Sequence, residues 1–425
     1  MKILVIGNGG REHTLVWKLS QSPRVSKLYC APGNAGISQL AECVPIKVDD
    51  IAGLKAFAQE MLIDLTVVGP ELPLSLGIAD EFRKAKLRIF GPTRNAACIE
   101  SSKSFAKDLL IRCHIPTPQA KTFEQIDQAV AYIDSHPVPL VVKADGLAQG
   151  KGVVVASSRD EAKEAVTRML EERQFGDAGT RVMIEEFLEG EELTVMAFAD
   201  GRTVIPMLAA QDHKRVGEGD TGLNTGGMGA YAPAPLATDA LRQRIVRDIL
   251  SPVVEGLSRV GSPYYGVLYA GLMIHQGEPY VLEFNARFGD PETQVVLPLL
   301  KTDLVDVLEA VVEHRLDQVT IEWRDEAAVC AVLAAEGYPG PYKTGLPITG
   351  LSQLSESDSL VAFHAGTAIH GNEILTSGGR VLGLTALAPD LHSARSRVYE
   401  AIPTISFEGQ YFRRDIASRV VPSTS

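Results

Sequence analysis

Two segments of the chain combine charged side chains with glycine or amide groups in patterns that suit phosphate chemistry. The first, residues 140–155, reads LVVKADGLAQGKGVVV, with Lys143 in an apolar run followed by Gly146, Gly150 and Gly152. It is not a Walker A loop, because too few residues separate its glycines and because Gly152 replaces the Ser or Thr that would hold magnesium. We predict a glycine hairpin between two strands, whose amides close over a triphosphate while Lys143 presents a charge to it. The alternative is a plain hairpin with a solvated lysine.

The second segment, residues 280–292, reads YVLEFNARFGDPE. Alternation along a strand puts Glu283, Asn285 and Arg287 on one face. Carboxylate and amide oxygens are ligands suited to Mg²⁺, and a guanidinium can hold a carboxylate or a phosphoryl group in a fork. This pattern predicts a metal and phosphoryl-transfer site, against the alternative of a solvated strand face with an ion pair.

A glycine turn near the N-terminus is a weaker signal. The run GNGGR at residues 7–11 follows an apolar segment and precedes a helical pattern, so its amides suit a phosphate at a helix N-terminus. It suggests a dinucleotide site, but Glu12 stands where that fingerprint needs its third glycine. A phosphate-binding turn and a merely tight turn both stay open.

Three polar segments add possible ligands. Residues 185–192, EEFLEGEE, are either a solvated linker or a bend that lines an adenine edge and offers an acid to ribose hydroxyls. Residues 211–215, QDHKR, and 221–229, TGLNTGGMG, supply an acid, cations and glycines. Asp212 could hold an ammonium group, whereas His213 alone is equally typical of a surface histidine.

The elements that must position these groups alternate along the chain. The first part has strand patterns at residues 2–6, 65–68 and 87–90, and we predict an open parallel Rossmann-like sheet ending near Ser101. A helix over 103–113 follows. We expect a small α+β lid with strands at 140–144, 152–156 and 181–188 and helices at 126–135 and 160–172.

The rest of the chain divides into a central and a terminal part. Predicted strands at 193–199, 204–209, 267–274 and 280–285 surround a glycine-rich loop at 217–230, and loops of that length are usually functional or disordered. The last part has strand patterns at 328–334 and 380–386 and a helix at 392–401. We therefore predict an α/β and α+β multidomain protein with domains at 1–101, 102–324 (lid about 120–190) and 325–425.

Composition excludes several classes of protein. The 425 residues carry a formal net charge of −12, which disfavours a nucleic-acid surface. The five scattered cysteines disfavour a disulfide framework or a zinc site. The short apolar run after Lys2 is not a signal peptide, and no run approaches the length of a membrane span. We expect a cytoplasmic protein without nucleic-acid or membrane partners, as a monomer or weak homo-oligomer.

The motifs together resemble the phosphoribosylamine–glycine ligase family of the ATP-grasp superfamily. The similarity is collinear, running through IGNGGREH, APGN, GPE, SSK, KADGLAQGKGV, EEFLEGEE, QDHKR, NTGGMGAYAP, YAGLMI and EFNARFGDPETQ. It implies an ATP-grasp fold and the ligation of glycine to 5-phosphoribosylamine through a glycyl phosphate, with ATP as co-substrate and Mg²⁺ or Mn²⁺ as cofactor.

The resemblance also implies roles for individual residues. ATP would be bound by Lys103, Lys143, Gly146, Gly150, Lys151, Gly152, Glu185, Glu186, Phe187, Leu188 and Glu192. The other substrates would be bound by Asn8, Gly9, Gly10, Arg11, Glu71, Asp212, Lys214, Asn224, Thr225, Gly226, Gly227, Met228, Gly229, Arg287 and Asp290. Lys143, Asp212 and Arg287 would be catalytic. Glu283 and Asn285 would bind the metal.

One departure from the wider superfamily concerns the metal. The preceding strand reads Tyr269-Ala270-Gly271-Leu272, where many ATP-grasp enzymes have another acidic ligand, so a second metal ion would lack a protein anchor there. The alternatives are another purine-pathway ATP-grasp ligase or carboxylase, an ATP-sensing module without catalysis, and a nicotinamide-dependent dehydrogenase suggested only by the first glycine turn.

Overall fold

The computed structural model describes residues 1–148, 152–354 and 359–421. Its N-terminal strands are β1 Lys2–Gly7, β2 Lys27–Pro32, β3 Glu42–Cys43, β4 Leu65–Val68 and β5 Ile89–Phe90. They form one parallel sheet in the order β3-β2-β1-β4-β5. The accompanying helices are α1 Gly10–Ser20, α2 Ile51–Glu60, α3 Glu71–Ser75, α4 Ile78–Lys84 and α5 Arg94–Ser101. The predicted open parallel sheet is confirmed, with a shorter last strand than expected.

Strand β1 is buried on both faces, which explains its uninterrupted apolar sequence. Leu4 and Ile6 pack into one core cluster, and Ile3 and Val5 pack into another. Both faces of a parallel sheet are usually covered. The glycine turn that follows β1 is therefore held at the edge of a rigid sheet.

Helix α6, Lys103–Arg112, leads from the first sheet into the lid. Ser102 caps it by accepting a hydrogen bond from the Phe105 amide. Residues four apart lie on the same face of a helix, so Lys103 and Lys107 project in the same direction.

The lid is a four-stranded antiparallel sheet with two helices. Its strands are β6 Ala120–Phe123, β7 Leu140–Ala144, β8 Val153–Ala156 and β9 Val182–Glu186, and its helices are α7 Ile126–Ser135 and α8 Arg159–Leu170. The strand order is β6-β9-β7-β8. Strands β7 and β8 are antiparallel neighbours, as the predicted hairpin requires. Residues 149–151 of its connection, which include the predicted Gly150 and Lys151, lie outside the described residues.

A second antiparallel sheet forms the floor beneath the lid. It contains β10 Glu191–Asp200, β11 Val204–Pro206, β16 Tyr265–His275 and β17 Glu278–Asn285, in the order β11-β10-β16-β17. The intervening chain forms β12 Gln211–Asp212, β13 Arg215–Gly217, β14 Thr221–Asn224, β15 Gly229–Ala232, α9 Asp239–Ile245 and α10 Ser251–Arg259. The glycine-rich segment at 217–230 is therefore not a plain loop, because it contains β14 and the start of β15.

The C-terminal sheet contains strands from two parts of the chain. After α11 Thr293–Val296 and α12 Leu304–Val312 come β18 Ala327–Ala335, β19 Leu360–His364, β20 Thr367–His370, β21 Glu373–Thr376, β22 Arg380–Ala388, α13 Leu391–Ala401 and β23 Gln410–Tyr411. The main sheet has the order β12-β15-β18-β22-β19, and β23 also pairs with β18. Central strands β12 and β15 thus extend a sheet built mainly by the C-terminal residues.

None of the helices in the described ranges is long and apolar enough to cross a membrane.

Candidate active site

A cleft of about 980 Å³ lies where the lid, the central sheet and both flanking parts of the chain meet. The predicted site residues that line it are Arg11, Glu71, Lys103, Lys143, Gly152, Glu185, Glu186, Phe187, Leu188, Glu192, Asp212, Lys214, Asn224, Thr225, Gly226, Glu283, Asn285, Arg287 and Asp290. Elements that are distant in sequence therefore line one cavity, and both lysine and carboxylate side chains border it.

Some of the predicted residues do not line this cleft. Those within the described ranges are Asn8, Gly9, Gly10, Gly146, Gly227, Met228 and Gly229. Gly227 and Met228 lie in the connection that leads into β15, where the Gly229 backbone pairs with Ala331 of β18. These glycines place the chain close to the C-terminal sheet at the cleft's edge.

Three charged side chains form a buried triad where α6 meets the lid. Glu185 on β9 accepts from both lysines, with its oxygens 2.8 Å from Lys107 Nζ and 2.5 Å from Lys143 Nζ. Burial alone would raise the pKa of Glu185, but Lys143 and Lys107 hold it below its usual value. We call Lys107, Lys143 and Glu185 the lysine–glutamate triad.

Lys103 lies on the same helix face as Lys107 and also reaches the cleft. Its Nζ donates to the Gly146 carbonyl over 3.2 Å. Burial lowers the pKa of Lys103, although Glu283 opposes the shift. Burial removes much of the water that would stabilise the Lys103 ammonium group. A phosphate that enters the cleft would stabilise this charge by pairing with it.

Glu283 and Asn285 lie on the floor strand β17, facing the lysines. The register sets Gly271 of β16 beside Glu283 and Tyr269 beside Asn285, so the neighbouring strand offers no carboxylate at either position. Burial would raise the pKa of Glu283, but Lys214, Lys143 and Lys103 hold it below its usual value. The side chain is partly buried and makes no hydrogen bond or ion pair with any described residue.

This donor set fits a hard divalent cation. Within the described residues, the one hydrogen bond to Asn285 Oδ1 comes from Arg287 Nη2 over 3.5 Å. An ionised carboxylate with uncommitted oxygens and an amide oxygen two residues away match the one or two protein ligands that Mg²⁺ usually takes.

Arg287 is clamped between two acids, one of which was missed by the sequence patterns. Its Nη2 is 3.0 Å from Glu100 Oε1 and its Nε is 3.4 Å from Glu71 Oε2. Burial raises the pKa of Glu100, although the positive charge of Arg287 opposes this rise. The Ala286 amide donates a hydrogen bond to the Glu100 carboxyl group over 2.7 Å. The guanidinium is thus fixed in orientation at the end of β17.

Asp212, at the end of strand β12, and Lys214, two residues later, also line the cleft. Lys214 Nζ is 2.5 Å from Glu192 Oε2. Burial raises the pKa of Asp212 to about 8 despite Lys214, and the nearby Glu292 adds to the rise. A buried carboxyl group of this kind gains most from an approaching ammonium group or metal ion.

The N-terminal glycine turn closes around a side chain of its own helix. Glu12 Oε2 accepts from the Gly9 amide over 2.6 Å and Oε1 accepts from Arg11 Nε over 2.6 Å. A Cβ at Gly7 or Gly69 would lie 2.4 or 2.1 Å from atoms of Glu12, so both glycines are needed for this fit. A carboxylate three residues into a helix is a capping-box signal, and it removes the support for a dinucleotide site at this turn.

The C-terminal part also supplies residues that the sequence patterns missed. Arg380 donates to the Asp290 carbonyl over 3.1 Å and pairs with the Asp290 carboxylate at 3.1 Å. The Tyr338 hydroxyl accepts from the Gly226 amide over 2.9 Å. Further unpredicted lining residues include Glu100, Lys107, Asp220, Tyr342 and Arg419. Only Lys107 carried a local signal, its spacing of four from Lys103.

Comparison with protein-family models matches almost the whole chain. The phosphoribosylglycinamide synthetase N domain matches residues 1–100, the ATP-grasp (A) domain of that synthetase matches 101–293, and its C domain matches 328–419.

Curated relatives match over nearly their full lengths. The phosphoribosylamine–glycine ligase of Caldanaerobacter subterraneus is 51% identical, with 98% of this chain and 100% of the relative covered. The enzyme of the same name from Salmonella typhimurium is 52% identical, with 99% of each covered.

Solved structures extend the comparison. A crystal structure of phosphoribosylamine–glycine ligase from Thermotoga maritima superposes with a TM-score of 0.85 at 32% identity, covering 98% of this chain and 100% of that one. The biotin carboxylase domain of 2-oxoglutarate carboxylase from Hydrogenobacter thermophilus, determined with MgADP and bicarbonate, shares the fold with a TM-score of 0.75 at 16% identity, covering 97% and 91%.

Proposed function

The chain belongs to the phosphoribosylglycinamide synthetase family and is an ATP-dependent ligase with an ATP-grasp fold, and on that premise we propose how its cleft joins glycine to 5-phosphoribosylamine in purine biosynthesis. ATP transfers its terminal phosphoryl group to the glycine carboxylate and leaves as ADP. The amine then attacks the carbonyl carbon of the glycyl phosphate, loses a proton and expels phosphate, so that an amide bond remains. The observation that carries the proposal is that Lys103 and Lys143 face Glu283 across one cleft.

The nucleotide lies between the lid and the central sheet. The lysines reduce the repulsion between the triphosphate and the glycine carboxylate, which is the main electrostatic barrier to phosphoryl transfer. The backbone from Glu185 to Leu188 borders the adenine, and the partly exposed Phe187 offers an apolar surface to it. The Glu192 carboxylate accepts a hydrogen bond from a ribose hydroxyl once its ion pair with Lys214 has broken.

Glu283 and Asn285 would hold a divalent cation, Mg²⁺ or Mn²⁺, which when bound supplies positive charge to screen the phosphates. The Glu283 oxygens, which make no hydrogen bond or ion pair with a described residue, and the lowered pKa of the carboxyl group support this assignment. Since Gly271 pairs with Glu283, the preceding strand has no side chain to anchor a second ion there.

Glycine lies between Arg287 and Asp212. The clamp formed by Glu71 and Glu100 aims the Arg287 guanidinium so that it can grip the carboxylate being phosphorylated. Asp212, when ionised, holds the glycine ammonium group at the other end. The lid excludes water, which would otherwise hydrolyse the acyl phosphate.

Substrate exchange tests this function directly. Purified protein with ATP, Mg²⁺ and phosphoribosylamine should release phosphate when glycine is added, and should not respond to formate or bicarbonate. A response to bicarbonate or formate instead of glycine would assign the cleft to another ATP-grasp ligase or carboxylase.

Substitution tests the assigned residues. Lys143→Ala and Glu283→Ala should each abolish glycine-dependent ADP release while the circular dichroism spectrum stays unchanged, because each removes a charge that acts on the triphosphate. Lys121→Ala, at an exposed lysine on lid strand β6, is the matched control and should retain full turnover. Normal turnover in either cleft variant would contradict the proposed roles.

Location and assembly are also part of the proposal. We infer a cytoplasmic enzyme, monomeric or weakly self-associating, with no nucleic-acid or membrane partner. All five cysteines are free thiols, which supports a reducing compartment.

A further inference from the structure

The lysine–glutamate triad contains a lysine that the proposed mechanism leaves without a role. Lys107 is buried, with only 8% of its side chain exposed, and it lines the cleft. A buried lysine is costly unless its charge is paired. Its presence beside a carboxylate that already has another lysine partner therefore needs an explanation.

The two lysines differ in how firmly they are held. Lys107 Nζ donates to Thr117 Oγ1 over 2.6 Å and to the Pro118 carbonyl over 2.9 Å. The Thr117 hydroxyl in turn donates to the Val281 carbonyl of β17 over 2.8 Å, which ties this partner to the central sheet. Lys143 has one further acceptor within the described chain, the Leu282 carbonyl at 3.1 Å.

The charge balance of the triad decides what a phosphate would meet. Two ammonium groups and one carboxylate leave a single net positive charge on three side chains that are each less than a tenth exposed. Without Lys107 the Glu185 carboxylate would be paired by Lys143 alone, and that pair is neutral. A neutral pair attracts an anion far less than a net cation does, and the difference grows as the local dielectric constant falls.

We propose that Lys107 is a positioning residue for nucleotide binding: it neutralises the charge of Glu185, so that Lys143, although bonded to the other Glu185 oxygen, presents a net positive charge to the nucleotide phosphates. This inference rests on the proposed role of Lys143 in the ligase reaction. Lys107 acts through Glu185 and does not itself touch the nucleotide.

The test compares ligands with and without phosphate. Titration calorimetry would measure the affinities of ATP, ADP and adenosine for the full-length protein and for Lys107→Met. We expect about tenfold weaker binding of ATP and ADP, the effect of losing one nearby charge, and less than about a twofold change for adenosine. Arg112→Met removes one positive charge from an exposed position of the same helix and should change none of the three affinities.

A second variant separates this role from damage to the fold. Adding Glu185→Gln to Lys107→Met restores a single net positive charge, now on Lys143, and should return the ratio of ATP affinity to adenosine affinity to within about threefold of the parent ratio, in which any loss of adenine contact at Glu185 cancels. If this ratio in the double variant is no higher than in Lys107→Met, or if Lys107→Met weakens adenosine as much as ATP, the inference is wrong.

Lys143→Met distinguishes failure of the inference from failure of the proposed function. Weak ATP binding by Lys143→Met with normal binding by Lys107→Met would overturn the inference and leave the function intact. Normal ATP binding by Lys143→Met would overturn the phosphate site itself, and the inference with it.

Discussion

Asp212 shows how burial can prepare a single carboxyl group for its ligand. Burial raises its pKa to about 8, with Lys214 opposing and Glu292 contributing. Near neutral pH most molecules of the unliganded protein therefore carry a proton at this position. Only the ionised form can pair with the ammonium group of glycine, so binding must displace that proton.

The pH dependence of glycine use follows from this shift. We expect the KM for glycine to fall by up to about tenfold per pH unit as the pH rises toward 8 and then to level off, because the fraction of ionised Asp212 rises in the same way. Initial rates at saturating ATP between about pH 6 and pH 9 would measure it. In Asp212→Asn the KM should be high and lack this inflection. An unchanged inflection in that variant would assign the titration to another group.

At the residue scale, the sequence predicts the charged groups that are close to one another in the chain. Glu283 and Asn285 lie on one face of β17, as alternation requires, and Arg287 lies two residues past the end of that strand. All three line the cleft. Arg380 could not be found in this way. It reaches the Gly226 carbonyl across 154 residues of chain, and no local pattern encodes that contact.

At the scale of elements, helix α1 and strand β19 meet through a pair of buried histidines. The His364 amide donates to His13 Nδ1 over 2.7 Å, and the two ring centroids are 5.5 Å apart. Burial and, to a smaller extent, repulsion from the charge of His364 lower the pKa of His13 to about 3. Burial lowers the pKa of His364 to about 4. Both rings are therefore neutral in the folded protein under conditions where an unfolded chain would begin to take up protons.

Stability should fall on acidification at this contact. The folded pKa values lie below the unfolded value of about 6.5, so this contribution is fully present above that pH and is lost progressively as the pH falls to about 3. Each ring contributes on the order of 3 kcal/mol to that loss. Urea unfolding at several pH values would measure it. His13→Gln removes one group that binds a proton only in the unfolded state. The slope of unfolding free energy against pH should therefore fall by about 1.4 kcal/mol per pH unit.

Exposed His392 provides the matched control for this measurement. His392→Gln should leave the slope unchanged, because its ring is not withdrawn from water. Equal slopes for the parent and His13→Gln would show that the buried pair does not set the acid sensitivity.

Elements with strong local signals could be predicted to the residue. Strand β7 and helix α7 have the expected bounds, since an apolar β-branched run and a helical repeat mark them. Strand β15 could not be found, because it has only four residues and follows a run of glycines. Its strand character comes from pairing with β18, which lies about a hundred residues later.

At the scale of the whole molecule, the central and C-terminal parts depend on each other. All four residues of β15 are buried, and Ala230 and Ala232 share a core cluster with Ala328, Cys330 and Leu387. A chain ending at residue 324 would expose the backbone of β15 and this apolar surface.

We therefore expect the 1–324 fragment to aggregate or to unfold without cooperativity, as measured by size-exclusion chromatography and thermal denaturation. Coexpression of the 325–425 fragment should restore a soluble complex, because it supplies β18 and β22. A monomeric 1–324 fragment with a sharp transition at the melting temperature of the full chain would contradict this dependence.

The mixed origin of the C-terminal sheet also matters while the protein is being made. Translation delivers β15, Gly229–Ala232, just past the midpoint of the chain, but its sheet also needs β22, which ends only at Ala388. Domains generally fold as units once their sequence has left the ribosome. Most of this polypeptide must therefore emerge before that unit can close, so chaperones have a long interval in which to bind the nascent chain. A ribosome that stalls late in the message would leave the chain open to proteolysis.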